Sequence, residues 1–166
     1  MAFFDIDGTL SAPCYPDGKG GFVIGFSVED WETYCNTSAE TGYLSCGIIP
    51  QVKEFAENLS GQGAELFILS AAVYGSEKEA KRRFISEYYP GIFRECFFTD
   101  HERDKVPLIL RMASDRGLAP DRCLLVEDTY NTLLSANDSG IISLHVSNIM
   151  AGNHIKLLSA KGVNIQ

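Results

Sequence analysis

Apolar residues along the chain are grouped in short runs, which are separated by longer segments of mixed polarity. The runs have the length of β-strands and occupy residues 2–6, 64–70, 95–99, 122–127 and 141–146. In the segments between them, apolar residues recur every three or four positions, which is typical of helices with one buried face. The runs do not alternate strictly between apolar and polar residues, so we expect the sheet to be covered on both faces. The pattern predicts an α/β fold, a doubly wound, Rossmann-like sheet of five parallel strands flanked by helices.

Residues that favour helix ends support this division of the chain. Pro50 is predicted to begin one helix, because its fixed φ angle suits the first helical position. Ser76 is the expected N-cap of the next helix. Gly117 and Gly140 are expected to end two later helices, since glycine readily adopts the left-handed conformation that terminates helices.

The segment between about residues 11 and 49 interrupts the alternation of strands and helices. The sequence PDGKGG at 16–21 is typical of a tight turn, and the apolar run FVIGF follows it, which together predict a hairpin. Ser27 is then the expected N-cap of one short helix over 27–35. This segment is too short for a second domain. We therefore predict one domain over residues 1–166, with a minimal cap insertion at about 11–49.

The charge balance narrows the class of partner. The chain has 166 residues, of which 14 are basic and 22 acidic, and a formal net charge of −8. Such a surface repels the nucleic-acid backbone and anionic membranes unless one face is locally basic, so neither is an expected partner. The candidate basic cluster, Lys81-Arg82-Arg83, lies on a predicted helix, and we interpret it as a solvated face. Converging acidic residues are better suited to a divalent cation.

The cysteines indicate a reducing environment. They are odd in number and lack the short spacings of zinc sites or redox motifs. They are Cys14, Cys35, Cys46, Cys96 and Cys123. We interpret them as reduced thiols of a cytoplasmic protein. The N-terminus lacks the features of a signal peptide, and the longest stretch without charged residues, 139–155, is interrupted by polar residues, so no membrane span is expected.

Two aspartates, Asp5 and Asp7, come at the end of the first apolar run. In an extended chain, residues two apart point the same way, so both carboxylates are expected to face one point. At about 4 Å and an effective dielectric near 20, they would repel each other by roughly 4 kcal/mol. A metal ion, a shared proton or exposure to water would offset this repulsion. A solvated turn before a helix is an equal alternative for the pair on its own.

Further polar residues follow the other predicted strands. Ser70 ends the second strand, Lys105 lies near the start of the helix after the third, and Glu127 and Asp128 end the fourth. Each has an ordinary structural explanation as a helix cap or a surface charge. Because the carboxyl ends of parallel strands meet at one edge of the sheet, however, we expect all of them to converge. Several carboxylates at one point suit Mg²⁺, and a serine hydroxyl and a lysine ammonium suit a phosphate group.

Four short motifs in this order resemble a known family. They are DIDGT (5–9), ILSA (68–71), Lys105 and LLVED (124–128). Together they look like the four motifs of the haloacid dehalogenase-like (HAD) hydrolase superfamily. The resemblance extends over most of the chain, roughly residues 2–146, and the first motif is its most specific part.

The resemblance implies a magnesium-dependent phosphatase that works in two steps. Asp5 would be the nucleophile that forms a phospho-aspartate. Asp7 would protonate the leaving oxygen and then take a proton from the water that hydrolyses the intermediate. Ser70 and Lys105 would hold the phosphoryl oxygens. The metal ligands would be Asp5, the backbone carbonyl of Asp7, and Asp128.

Departures from the wider superfamily narrow this implied activity. The second aspartate of the first motif, Asp7, favours a hydrolytic phosphatase over dehalogenases and ion-pumping ATPases. The small insertion opposes a phosphomutase, which needs a large cap, so the chain resembles the small-cap or capless phosphatases. Their substrate here is expected to be a phosphorylated small molecule of unknown identity. The oligomeric state is open, since a partner subunit is one way to complete the pocket, and Glu127 is left open as a further metal ligand.

Two alternatives to a small-molecule phosphatase stay in view. The segments 27–34 and 48–71 are somewhat similar to polynucleotide kinase 3′-phosphatase domains, although the acidic charge opposes a nucleic-acid substrate. A catalytically inactive binding module with the same fold is the alternative from another class of function.

Candidate residues at the entrance of the active-site pocket are Tyr15, Lys19, Trp31 and Tyr34. Core contacts of an amphipathic helix explain Trp31 and Tyr34 equally well.

Overall fold

The computed structural model describes residues 1–12, 15–16, 19, 21–23, 27–37 and 39–162. Within these ranges the strands are β1 (Ala2–Phe4), β2 (Tyr15–Pro16), β3 (Phe22–Val23), β4 (Leu66–Ala71), β5 (Glu95–Thr99), β6 (Leu124–Glu127) and β7 (Ile142–His145). The helices are α1 (Val28–Thr37), α2 (Ala39–Ser45), α3 (Pro50–Gly61), α4 (Gly75–Tyr88), α5 (Lys105–Asp115), α6 (Tyr130–Asp138), α7 (Val146–Met150) and α8 (His154–Ala160). Two 3₁₀ turns cover Glu102–Asp104 and Pro120–Arg122.

Five strands form one parallel sheet in the order β5-β4-β1-β6-β7. The central strand is β1, in which Phe3 pairs with Phe67 on one side and with Leu125 on the other. The strand order confirms the predicted doubly wound α/β fold, because the chain moves outward from β1 in both directions. The carboxyl ends of β1, β4 and β6 therefore lie side by side.

Both faces of the sheet are covered, as the lack of strict alternation predicted. Phe4, Ile68 and Val126 belong to one buried cluster, with side chains from α3, α4 and the segment before α3. Their neighbours Phe3 and Phe67 belong to the other, with side chains from α5 and α6. Successive residues of a strand point to opposite faces, so each strand contributes to both cores.

Most of the predicted helix ends are confirmed, and one is wrong. Pro50 begins α3, and Gly117 and Gly140 follow α5 and α6 with φ of +64° and +80°. Ser76 is not the N-cap of α4, because α4 already begins at Gly75. The Ser76 hydroxyl instead donates a hydrogen bond of 2.5 Å to the carbonyl of Cys35.

The segment between β1 and α3 holds a hairpin and two helices. The strands β2 and β3 pair antiparallel, which agrees with the predicted hairpin, while most of its turn and residues 24–26 lie outside the described residues. Ser27 caps α1 as predicted, since its Oγ accepts the amide of Asp30 at 3.1 Å. The prediction of one short helix is wrong, because α2 follows α1. Both helices pack against α4, and Tyr88 donates a hydrogen bond of 2.6 Å to the Leu44 carbonyl.

The remaining sequence predictions concern thiols and membranes. Among the described residues, Cys35, Cys46, Cys96 and Cys123 are free thiols, whereas Cys14 lies outside those residues. No helix in the described ranges has the length and apolar character to span a bilayer.

Candidate active site

The carboxyl edge of the sheet brings together the residues that end its central strands. Asp5 directly follows β1, and its amide donates a hydrogen bond of 3.1 Å to the carbonyl of Val126 in β6. Ser70 lies near the end of β4, and Glu127 ends β6. The convergence expected from the strand order is therefore present at this edge.

Lys105, the first residue of α5, lies among three carboxylates. Its Nζ is 3.1 Å from Asp5 Oδ1, 2.7 Å from Glu127 Oε2 and 2.7 Å from Glu102 Oε2. The side chain is fully buried. Burial by itself lowers the pKa of Lys105, but the charges of Asp5, Glu127 and Glu102 outweigh this effect and raise the pKa. Lys105 is therefore a fixed cation directed at Asp5.

Three carboxylates form a compact acidic group around this edge. Asp5, Glu127 and Asp128 each offer an oxygen, and these oxygens lie within 4.8 Å of one another. Among the described residues, Asp5 Oδ1 is buried and receives no hydrogen bond, and the ammonium of Lys105 lies 3.1 Å from it. Asp128 is exposed, which leaves the group open to solvent on one side. Carboxylate oxygens in this number fit a hard divalent cation such as Mg²⁺.

Glu127 has a structural role that distinguishes it from its neighbours. Its Oε1 accepts the backbone amides of Asp128 and Thr129, at 3.1 and 3.2 Å, and its Oε2 accepts the ammonium of Lys105. Burial raises the pKa of Glu127 and the negative charge of Asp5 adds to this, while Lys105 opposes it. Since both oxygens already have protein donors, Glu127 holds the turn that carries Asp128.

The carboxylate of Asp7 has a different set of partners from that of Asp5. Tyr43 in α2 donates its hydroxyl to Asp7 Oδ1 at 2.7 Å. Lys81 in α4 places its Nζ 2.8 Å from Asp7 Oδ2. The two aspartates therefore contact two different lysines, Lys105 for Asp5 and Lys81 for Asp7.

Lys81 is the main correction to the sequence predictions. Its side chain is 1% exposed, whereas those of Arg82 and Arg83 are 52% and 50% exposed. The interpretation of this cluster as a solvated face is therefore correct for Arg82 and Arg83 and wrong for Lys81. The buried residues of α4 lie at helical spacing, and this set includes Lys81: Glu77, Ala80, Lys81, Phe84 and Ile85. This spacing could have identified Lys81 from the sequence.

Lys81 also connects Asp7 to the predicted phosphate-binding serine. Its Nζ lies 2.9 Å from Glu77 Oε1 and donates hydrogen bonds to Ser70 Oγ at 3.1 Å and to the Ala71 carbonyl at 2.6 Å. Ser70 is buried. Asp7, Ser70, Lys81 and Tyr43 thus form a second group next to the first, and sequence reasoning missed Lys81 and Tyr43.

The proposed entrance residues of the insertion are in part core residues. Trp31 stacks on Tyr34, with ring centroids 5.5 Å apart, and Tyr34 is buried. These contacts favour the core interpretation for both. Lys19 is exposed, and the side chain of Tyr15 lies outside the described residues.

Comparison with solved structures identifies the fold. A haloacid dehalogenase-like family hydrolase from Streptococcus pneumoniae is 20% identical with a TM-score of 0.60, over 87% of this chain and 82% of that one. A HAD family hydrolase from Deinococcus radiodurans, with bound phosphate and sodium, is 14% identical with a TM-score of 0.62, over 99% and 97%. The fold is that of the HAD-like hydrolases. No family model and no curated protein matches the sequence.

A third structural neighbour carries a metal. The N-terminal part of a Bacteroides fragilis protein, which contains a phosphatase domain complexed with Mg, is 15% identical with a TM-score of 0.52, over 86% of this chain and 35% of that one. These likenesses confirm the predicted resemblance at the level of the fold. The small-cap or capless subtype stays a prediction.

Proposed function

We propose that this chain is a magnesium-dependent phosphomonoester hydrolase that works through a phospho-aspartate on Asp5. The observation that supports this most directly is the placement of Asp5, a buried carboxylate at the end of the central strand, beside Lys105 and within 4.8 Å of an oxygen of Asp128. A nucleophile, a fixed cation and metal-ligating oxygens are the parts that phosphoryl transfer to a carboxylate requires.

The metal ligands are proposed to be Asp5, the backbone carbonyl of Asp7, and Asp128. Bound there, Mg²⁺ would offset the negative charge of the carboxylates and of the phosphoryl oxygens. The donor set fits such an ion, because Asp5 Oδ1 receives no hydrogen bond among the described residues and two more carboxylates are within 4.8 Å. The Deinococcus neighbour contains phosphate and sodium and the Bacteroides neighbour contains Mg, which is consistent with this assignment.

The reaction would proceed in two displacements at phosphorus. In the first, an Asp5 oxygen forms a bond to phosphorus as the bond to the leaving oxygen breaks, and Asp7 gives that oxygen a proton. In the second, Asp7 takes a proton from a water molecule whose oxygen attacks phosphorus, and the bond to Asp5 breaks to release inorganic phosphate. Lys105 and Ser70 hold the phosphoryl oxygens in both steps.

The substrate is proposed to be a phosphorylated small molecule. The net charge of −8 opposes a polynucleotide 3′-phosphate. Three further predictions are untested: the small cap, the completion of the pocket by a partner subunit, and the cytoplasmic location. The remaining alternative is a catalytically inactive binding module, which predicts no release of phosphate.

Release of phosphate from an aryl phosphate tests the proposal. We expect turnover by the purified chain in Mg²⁺ and none after chelation, with recovery when Mg²⁺ is restored. Asp5→Asn is the matched control, because it keeps the shape of the nucleophile without its charge, and it should abolish turnover. A folded wild-type chain without phosphate release in Mg²⁺, or an active Asp5→Asn variant, would contradict the proposal.

A further inference from the structure

Both carboxylate oxygens of Asp7 are held by buried donors from outside the four motifs. The Tyr43 hydroxyl donates to Oδ1 at 2.7 Å and the Lys81 ammonium lies 2.8 Å from Oδ2. Tyr43 is fully buried and Lys81 nearly so. These two contacts, one to each oxygen, hold the carboxylate against rotation about its Cβ–Cγ bond.

A buried lysine at this point is costly unless its charge is compensated. Two carboxylates compensate the Lys81 ammonium, because its Nζ lies 2.8 Å from Asp7 Oδ2 and 2.9 Å from Glu77 Oε1. Glu77 lies one helical turn before Lys81 and is equally buried. The ion pair within α4 thus holds the ammonium in place against Asp7.

The same ammonium also contacts the group proposed to hold phosphate. Lys81 Nζ donates to Ser70 Oγ at 3.1 Å and to the Ala71 carbonyl at 2.6 Å. Because Oγ accepts this hydrogen bond, the hydroxyl proton of Ser70 is free to be donated to a phosphoryl oxygen. A single side chain therefore orients the acid–base carboxylate and the phosphate-binding hydroxyl together.

Tyr43 makes the insertion between β1 and α3 part of this arrangement. It belongs to α2, which packs on α4, and its ring lies 5.9 Å from Lys81 Nζ. The α2–α4 contact is fixed in addition by the hydrogen bond from Tyr88 to the Leu44 carbonyl. The two donors to Asp7 thus come from two helices that are packed together.

We propose that Lys81 and Tyr43 are positioning residues for Asp7, and that they direct its carboxylate at the leaving oxygen and at the hydrolytic water. The proposal rests on the acid–base role of Asp7 in the proposed function. It assigns a mechanistic purpose to α2 of the insertion and to the buried face of α4. Neither residue needs to contact the substrate.

The proposal predicts which kinetic constants change. With an aryl phosphate, the leaving group needs little protonation, so misplacing Asp7 should mainly slow hydrolysis of the phospho-enzyme. We expect Tyr43→Phe and Lys81→Met to lower kcat by about 10- to 100-fold, which is less than the roughly 10²–10⁴-fold contribution of the acid–base group itself. KM should not rise, and the phospho-enzyme should accumulate during turnover.

A double-mutant cycle with Asp7→Asn distinguishes positioning from general loss of structure. Each variant is made in the wild-type and in the Asp7→Asn background, and kcat is measured for all of them. If Tyr43 acts through Asp7 alone, Tyr43→Phe should not lower kcat further once Asp7 is Asn, whereas Lys81→Met should keep only the smaller loss that comes from its contact with Ser70. Lys78→Met is the control, because Lys78 is partly exposed on the same helix and pairs with Asp100. It should leave kcat unchanged in both backgrounds.

The variants differ in their risk of unfolding, so both are needed. Lys81→Met leaves Glu77 buried without its cation, whereas Tyr43→Phe removes one hydroxyl and keeps the ring. Far-UV circular dichroism checks that both variants are folded. A Tyr43→Phe loss that multiplies with that of Asp7→Asn, a Lys81→Met loss that is undiminished in that background, or an unimpaired Tyr43→Phe would overturn the positioning role while leaving the proposed function intact. An inactive folded wild type would overturn the proposed function, and the positioning role with it.

Discussion

The α-carbon of Gly8 lies directly against the carboxylate of Asp128. A Cβ added to Gly8 would be 2.8 Å from Asp128 Cγ and closer still to Oδ2, nearer than side chains tolerate. Gly8 also has a φ of +71°, in the left-handed region that favours glycine. The turn after Asp7 can thus approach the end of β6 only because residue 8 has no side chain.

Gly8→Ala should therefore impair metal binding as well as stability. The new methyl group displaces Asp128 from its place beside Asp5, and we expect the Mg²⁺ concentration for half-maximal activity to rise about tenfold or more. The left-handed backbone adds roughly 1–2 kcal/mol of destabilisation. A titration of activity with Mg²⁺ and a urea denaturation curve measure the two effects.

Gly63→Ala is the matched control for this change. Gly63 has a φ of +84° and would meet no atom within 4 Å if it carried a Cβ. It should lose a similar free energy of unfolding with no change in the Mg²⁺ requirement. Equal Mg²⁺ curves for the two variants would mean that the contact between Gly8 and Asp128 is irrelevant to metal binding.

Replacement of Mg²⁺ by Ca²⁺ should separate binding from turnover. Both ions prefer oxygen ligands, but Ca²⁺ is larger and accepts more ligands in a less regular geometry. We expect Ca²⁺ to bind to the group of Asp5 and Asp128, to support little turnover and to compete with Mg²⁺ for activity. Phosphate release with mixed ions measures this, and full activity of chelator-treated protein would rule out a metal requirement.

Glu127→Gln should destabilise the protein far more than Glu102→Gln. Glu127 is fully buried and bonded to Lys105 and to two backbone amides, and the new amide group would place a donor against the ammonium. We expect a loss of about 3–5 kcal/mol in the free energy of unfolding, because a buried ion pair is broken on one side.

Glu102 provides the comparison because it contacts the same ammonium at the same distance of 2.7 Å. Its side chain is 44% exposed, so Glu102→Gln should cost about 1 kcal/mol or less. Urea denaturation of both variants measures the difference. Equal losses would show that burial does not decide the strength of these contacts to Lys105.

The sheet and the first group of site residues could be predicted because both depend on local patterns. Each predicted apolar run overlaps a strand of the parallel sheet; 95–99 coincides with β5, and β4 extends one residue beyond its predicted run, to Ala71. Asp5 and Asp128 could be placed together because parallel strands with helical crossovers end at one edge. Residue type and strand order were sufficient there.

The second group depends on contacts that no local pattern specifies. The helix α2 is only seven residues long, too short to be stable without tertiary packing. It contains Gly42, where a Cβ would overlap the ring of Tyr34. Glycine allows this close packing, but its low helix propensity weakens the helical pattern in the sequence. Without α2, Tyr43 could not be assigned to the site. Lys81 was missed for a different reason, because a lysine on an apolar helix face was treated as solvated.

Asp5 and Asp7 should fail in different ways when each is replaced by asparagine. Asp5→Asn loses the charge of the nucleophile, so no phospho-enzyme should form. Asp7→Asn leaves Asp5 beside Lys105 at 3.1 Å and keeps the backbone carbonyl proposed as a metal ligand. It removes the proton donor and the base that activates water, a contribution of about 10²–10⁴-fold.

An aryl phosphate makes this difference observable, because its leaving group departs with little protonation. Asp7→Asn should then form the phospho-aspartate on Asp5 and hydrolyse it slowly, so the intermediate accumulates. Mass spectrometry after a rapid acid quench should show roughly 80 Da of added mass, one phosphoryl group in place of a proton. Asp5→Asn, treated identically, should show none. An adduct in Asp5→Asn, or wild-type turnover in either variant, would mean that the nucleophile and the acid–base residue are wrongly assigned.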